Sequence, residues 1–241
     1  MHHSSIESFN MNLKLQLDVF PQMMDFPKNY YESTKMIKDL GLDYEKIHAC
    51  PNDCSLFWGE FLEENKCYVC GASRWKMVQG RDGTLMCRIG IPAKVMRYFP
   101  LIPRLKRMYM SLKTAEDMRW HEKRHSEQED DGKLRHPADG LAWKHFDERY
   151  GDFALDPRSV RLGLASDGFN PYRLMNSTYS TWPVVLIPYN LPPWLCMKQY
   201  SFILSMIIPG KSSPGNDIDV YLQPLVKELQ LLWSGVDAYD A

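Results

Sequence analysis

The chain has no apolar run near the ~20 residues that a membrane-spanning helix requires, so no membrane association is expected. It also lacks a charged start followed by an apolar stretch, and "MHHSSIESFNMNLKLQLDVF" is not read as a secretory leader. The two histidines after Met1 are too few for a purification tag. An excess of either charge is missing as well. The 29 Lys and Arg stand against 30 Asp and Glu, which excludes a histone-like polycation. There is no internal repeat.

What is present fits a folded protein. The 241 residues are long enough for one or two domains. With 44% hydrophobic and 24% charged residues, a packed core is expected and wholesale disorder is not. Residues 1–28 contain Pro21 and Pro27 and read as an irregular arm. "YYESTKMIKDLGL" (30–42) spaces its apolar residues as a helix does and stops at Gly41. Residues 92–119 read as helical with breaks at Pro100 and Pro103, and "LAWKHFDERY" (141–150) as a short amphipathic helix. Three apolar, branched and aromatic runs bounded by turn residues read as strands: 160–166, 182–190 and 200–210. A helix over 216–235 is expected to start at Asn216 or Asp217, stop at Gly235 and kink at Pro224.

Without a secretory leader, six cysteines favour metal binding or free thiols over disulfides. Cys50 and Cys54 are separated by three residues, and Cys67 and Cys70 by two. Two close pairs can each wrap one edge of a metal tetrahedron. Four thiolates suit Zn²⁺ in a closed, structural site. "CYVCG" looks like a zinc knuckle, with Gly71 relieving crowding behind the sulfurs. His48 is a spare ligand that a complete thiolate set makes unnecessary. Cys87 and Cys196 are isolated and read as ordinary thiols.

From Arg74 to Lys113 there are ten basic residues and a single acid, Asp82. Tyr98, Phe99 and Tyr109 interleave with them. Such a stretch is either a nucleic-acid contact or a solvated helix face. The first option places Arg97, Arg104, Lys106 and Arg107 against DNA. Further on, His121, His125 and His136 lie near Asp139. They are either metal ligands or, more simply, hydrogen-bonded structural histidines.

"RLGLASDGFNPY" (161–172) runs as a strand into one acid, Asp167, followed by Gly168. Asp-Gly is a common turn pair. The order strand, strand, strand, helix is also how an RNase H-like nuclease domain begins, and there the first strand carries a metal-binding acid.

Several long segments then point the same way. They are "YYESTKMIKDLGLDYEKIHACPNDCSLFW", "CYVCGASRWK", "AKVMRYFPLIPRLKRMYMS", "MRWHEKR", "LRHPADGLAWKHFDERYGDFALDPRSVRLGLASDGFNPY" and "NDIDVYLQPLVKELQLLWSGVDAYD". Together they resemble the transposases of plant CACTA (En/Spm-type) DNA transposons over most of residues 28–240. The resemblance implies an α+β chain: a small four-cysteine zinc-binding segment (29–90), a basic helical region (91–150), and part of an RNase H-like, DDE/D-type core (151–241). It implies that Asp167 matches the first catalytic acid, that Mg²⁺ or Mn²⁺ serves only a complete core, and that the protein binds transposon ends in the nucleus, with a possible oligomer. The second and third acids would lie beyond the helix at 216–235. The expectation is therefore a truncated transposase, inactive alone, or else a non-catalytic zinc-dependent DNA- or protein-binding module of transposon origin.

Overall fold

The computed structural model describes residues 5–19, 26–80, 82–127, 133–171, 179–210 and 213–241, with the side chains of 124–127 excepted. It is a mixed helix and sheet protein that divides into two units, residues 1–43 and 44–241.

The first unit differs from the irregular arm expected at its start. Residues Ile6–Val19 form helix α1. Its sequence holds no Pro or Gly between Ile6 and Val19, and the prolines that suggested disorder lie after it. Helix α2 (Tyr30–Asp39) forms where the apolar spacing placed it. Its N-cap, Asn29, accepts from the Glu32 amide, and the Glu32 carboxylate reaches back to the Lys28 amide at 2.8 Å. Gly41 follows at φ 68°, the left-handed position that ends a helix. The Tyr30 amide donates to the Asn10 side chain at 2.7 Å, and Phe9 meets Tyr30 edge to face.

The second unit is organised by one antiparallel sheet. In chain order its strands are β1 (Glu45–Ala49), β2 (Leu56–Phe57), β5 (Lys94–Tyr98), β6 (Leu162–Ser166), β7 (Ser180–Pro188) and β8 (Ile203–Gly210). In space they run β2-β1-β5-β8-β7-β6. The strands of the cysteine segment and of the C-terminal part are thus neighbours, so a single sheet crosses the boundaries drawn at residues 90 and 150. Among the described residues, strands β3 (Trp75–Gln79) and β4 (Leu85–Pro92) pair only with each other, as a separate ribbon.

The expected helix at 92–119 resolves into strand β5 and two short helices, α3 (Ile102–Tyr109) and α4 (Leu112–Met118). The misplacement has a simple cause. "VMRY" alternates, with Met96 and Tyr98 buried and Arg97 exposed. That is period two, and it sits inside a basic stretch that resembles a helix face. Helix α3 does form, with Pro103 in its first turn.

Helix α9 (Ile218–Trp233) and α3 cover the sheet. Tyr221 and Leu225 of α9 and Leu101 and Leu105 at α3 share one core with Ile47, Met96, Tyr98, Val184, Leu186, Met206 and Ile208. Pro224 is buried and α9 runs through it. The Gly235 stop is present, at φ 93°.

Two irregularities fix the sheet. Between β7 and β8 the register shifts at Val184/Val185, so that Ser205 becomes an extra residue on β8. Its carbonyl is then available to accept from the Phe99 amide at 2.7 Å, which joins β8 to the end of β5. On β6, Ser166 pairs with Val184, and beyond the strand Phe169 pairs with Thr181 in the same register. Asp167 is therefore opposite Pro183, which has no N–H to offer the ladder. The Asp-Gly pair is a pause in a continuing strand and not a turn. Gly168 is required there because a Cβ would lie 2.5 Å from the Trp182 ring.

Candidate metal centre

The hairpin between β1 and β2 carries Cys50 and Cys54. A second hairpin, closed by the Lys66↔Ser73 bridge, carries Cys67 and Cys70. The four sulfurs lie within 4.8 Å of one another. The Sγ–Sγ distances are 3.4 Å for Cys50–Cys54, 3.5 Å for Cys50–Cys70 and 3.6 Å for Cys54–Cys67. Four thiolates about 2.3 Å from one ion define tetrahedral edges of ~3.8 Å. The cluster therefore has the size of a closed four-thiolate site. With every corner taken by protein, such a site holds structure and leaves no position for a substrate.

The backbone is arranged for anionic sulfur. The Asn52 amide donates to Cys50 Sγ at 3.4 Å and the Cys70 amide to Cys67 Sγ at 3.5 Å. Ser55 Oγ lies 3.1 Å from Cys67 Sγ. Burial pushes the Cys50 and Cys54 thiols up. Burial also opposes ionisation of Cys67, yet the Ser55 hydroxyl and the Cys70 and Val69 amides outweigh it and bring the thiol down to about 6. The Ala72 amide lowers Cys70. Four thiols this close cannot all ionise without a cation among them. Gly71 (φ 70°) and Asp53 (φ 64°) supply the two left-handed residues that let the loops curl around the sulfurs.

His48 takes no part in the cluster. Its Nδ1 accepts from Arg74 Nε at 2.9 Å, and burial and then the Arg74 charge hold its pKa below the usual value. Arg74 is itself a structural cation. It donates to the Leu62 and Glu64 carbonyls and lies over the Phe57 and Trp75 rings.

Two acids that the sequence did not mark out bind this segment to the rest. Asp53, inside the first cysteine loop, accepts from Lys94 Nζ of β5 and from the Tyr221 hydroxyl of α9. Glu228 of α9 accepts from the Leu101 and Ile102 amides at 2.8 Å each and from the Tyr98 hydroxyl. It thereby caps α3, whose own N-cap residue, Leu101, has no side chain able to do so. Only the "PND" turn hinted at Asp53. Glu228 left no local signal.

The other expected residues are spread out. Asp167 is exposed, and its carboxylate accepts from the Gly168 amide at 2.7 Å. Among the described residues it belongs to no group of three or more metal-ligating side chains. Arg97 lies on β5 over the Tyr44 ring. Arg104, on α3, lies over Phe99 and donates to the Pro100 carbonyl at 2.5 Å. Lys106 is half-buried and Arg107 exposed. His136 forms a capping box: its Nδ1 accepts from the Ala138 amide, and Asp139 accepts from the His136 amide. Its Nε2 donates to the Leu191 carbonyl at 3.1 Å. Both ring nitrogens are occupied, so His136 is structural. His121 packs edge to face on Trp143. The His125 side chain lies outside the described residues.

No helix among the described residues is long and apolar enough to cross a membrane. Residues 131–241 match the model of a family described as transposase family tnp2. The match begins after the cysteine cluster and α3 and takes in β6, β7, β8 and α9. It supports a transposon-derived transposase. No curated protein and no solved structure matches the chain.

Proposed function

We propose that the chain derives from a transposase of the plant CACTA (En/Spm) type, with a Zn²⁺-stabilised, DNA-binding N-terminal part joined to the opening elements of an RNase H-like core. The observation that carries this is the meander β6-β7-β8 followed by α9, with Asp167 at the end of its first strand, inside the span that matches the tnp2 family. In a DDE/D-type core that position holds the first metal-binding acid. Mg²⁺ or Mn²⁺ there would stabilise the attacking and leaving oxygens of a phosphodiester. Cys50, Cys54, Cys67 and Cys70 would hold Zn²⁺, whose contribution is to the fold. Arg97, Arg104, Lys106 and Arg107 would meet DNA phosphates, and the protein would act in the nucleus. The segments 29–90, 91–150 and 151–241 are on this view divisions of role and not of fold.

One contrast favours binding over catalysis for this chain. The four thiols form one cluster, whereas Asp167 belongs to no group of three or more metal-ligating side chains among the described residues. The chain by itself is therefore proposed to bind DNA, or a protein partner, without cutting it. The test uses the purified chain with end-labelled duplex DNA and Mg²⁺ or Mn²⁺. DNA binding that survives Asp167→Ala, weakens with salt and is lost with a zinc chelator is the expected result. Strand cleavage abolished by Asp167→Ala would make the chain a nuclease. Absence of any DNA binding would overturn the DNA-binding assignment.

A further inference from the structure

The ribbon β3–β4 is out of place in a protein whose other strands share one sheet. Among the described residues it pairs with nothing else, and every residue from Leu85 to Ile91 is exposed, Ile89 at 81% and Leu85 at 70%. A two-stranded ribbon gains little from its own pairing in water. This one is nevertheless held firmly at both ends. At its root the Ala93 amide donates to the Arg74 carbonyl at 2.8 Å, and the Trp75 indole N–H to Asn65 at 2.8 Å. At its tip Asp82 accepts from the Thr84 amide and hydroxyl, Gly83 turns at φ 83°, and the Gly80 amide donates to the Thr84 carbonyl at 2.7 Å. The ribbon is fixed in shape while its faces are left uncovered.

Its charges are arranged at a cost. Lys76 and Arg88 are direct cross-strand partners, and Val78 pairs with Met86 next along the same face. Like charges directly opposite each other destabilise a ribbon. Neither cation has an ion-pair partner among the described residues, and Asp82, the single acid between Arg74 and Lys113, is bonded to Thr84. An anion laid across the pair would relieve that repulsion most directly, beyond what salt screening and splaying of the two exposed side chains achieve. A second copy of the chain, meeting this face symmetrically, would bring the same two cations and increase it.

We infer that the β3–β4 ribbon lies in a groove of duplex DNA, with Lys76 and Arg88 on phosphates and Val78 and Met86 towards base edges. The dimensions agree. Strands about 4.8 Å apart form a ribbon that the ~12 Å major groove admits, and other proteins use such ribbons in this way. The inference rests on the DNA-binding assignment made above and moves its centre. Arg97 and Arg104 are turned onto their own aromatic neighbours, whereas the ribbon cations are free to meet a ligand.

The experiment measures binding of the full chain to a fluorescent mixed-sequence duplex over a salt series. It compares Lys76→Ala/Arg88→Ala with the charge-preserving Lys76→Arg/Arg88→Lys and with Lys106→Ala/Arg107→Ala. Loss of two phosphate contacts lowers the slope of log affinity against log salt by about 1.8 and weakens binding about tenfold at moderate salt. That change is expected in the alanine pair and not in the charge-preserving pair. Equal slopes and affinities in the wild type and the alanine pair would overturn the ribbon's role while leaving DNA binding itself intact. A wild type that binds no duplex overturns both. A dimer seen by sedimentation and dissolved by Leu85→Ser/Ile89→Ser, with DNA affinity unchanged in the alanine pair, would reassign the ribbon to self-association.

Discussion

The Tyr221 hydroxyl donates to the Asp53 carboxylate, joining the buried first turn of the long C-terminal helix to the loop between Cys50 and Cys54. Lys94 Nζ completes the arrangement from β5 and also lies 5.5 Å from the centre of the Tyr221 ring. Burial, reinforced by the Asp53 carboxylate, pushes the Tyr221 hydroxyl well above its ordinary pKa, so it remains a donor at any ordinary pH. The Cys50–Cys54 loop and the helix that covers the sheet therefore meet through one carboxylate.

Replacing Tyr221 by Phe should lower stability by about 1.5–3 kcal/mol, the range for a hydrogen bond to a charged group. Asp53→Asn should cost a similar amount, and the double variant less than the sum, because the two residues share one interaction. Denaturant titration of the four proteins checks this. Fully additive losses would mean that the contact contributes nothing of its own.

Glu228→Gln should also be costly. The carboxylate serves two amides at the start of α3 and the Tyr98 hydroxyl, and a neutral amide cannot accept from all three as strongly. A loss of about 2–3 kcal/mol is expected. Hydrogen exchange at Leu101 and Ile102 should quicken more than at the centre of β7.

Metal removal and loss of a structural histidine should separate cleanly. Cys67→Ser or a strong chelator should abolish bound metal and lower the melting temperature together, since metal binding and folding of such a segment are linked. His136→Ala should lower the melting temperature, through the lost cap and the unpaired Leu191 carbonyl, and leave metal content unchanged. Elemental analysis beside a thermal melt distinguishes them.

The parts legible in the sequence were those specified locally. Cysteine spacing announced the cluster, and period-two or helical runs announced β6, β7, β8, α2, α6 (Leu141–Arg149) and α9. What remained hidden depends on distance. Glu228 caps a helix that begins more than a hundred residues earlier, and no pattern around it records that role. Strand β5 was concealed by its arginine, and α1 by prolines that follow it. Asp167 was correctly placed at a strand end, but Pro183, across the ladder, rather than a turn, breaks the pairing there.

The sheet order also carries a temporal consequence. Arg97 of β5 waits for Ile207 of β8. At ~5–20 residues per second, roughly a hundred residues take about 5–20 s to synthesise. The four clustered cysteines, in contrast, lie between residues 50 and 70 and would be able to gather an ion as soon as they leave the ribosome. An ion there would hold the β1–β2 corner, against which β5 pairs, while β8 is still being made. A cell short of that metal would meet the defect first as nascent chains that collapse or are degraded, before any mature protein loses its ligand.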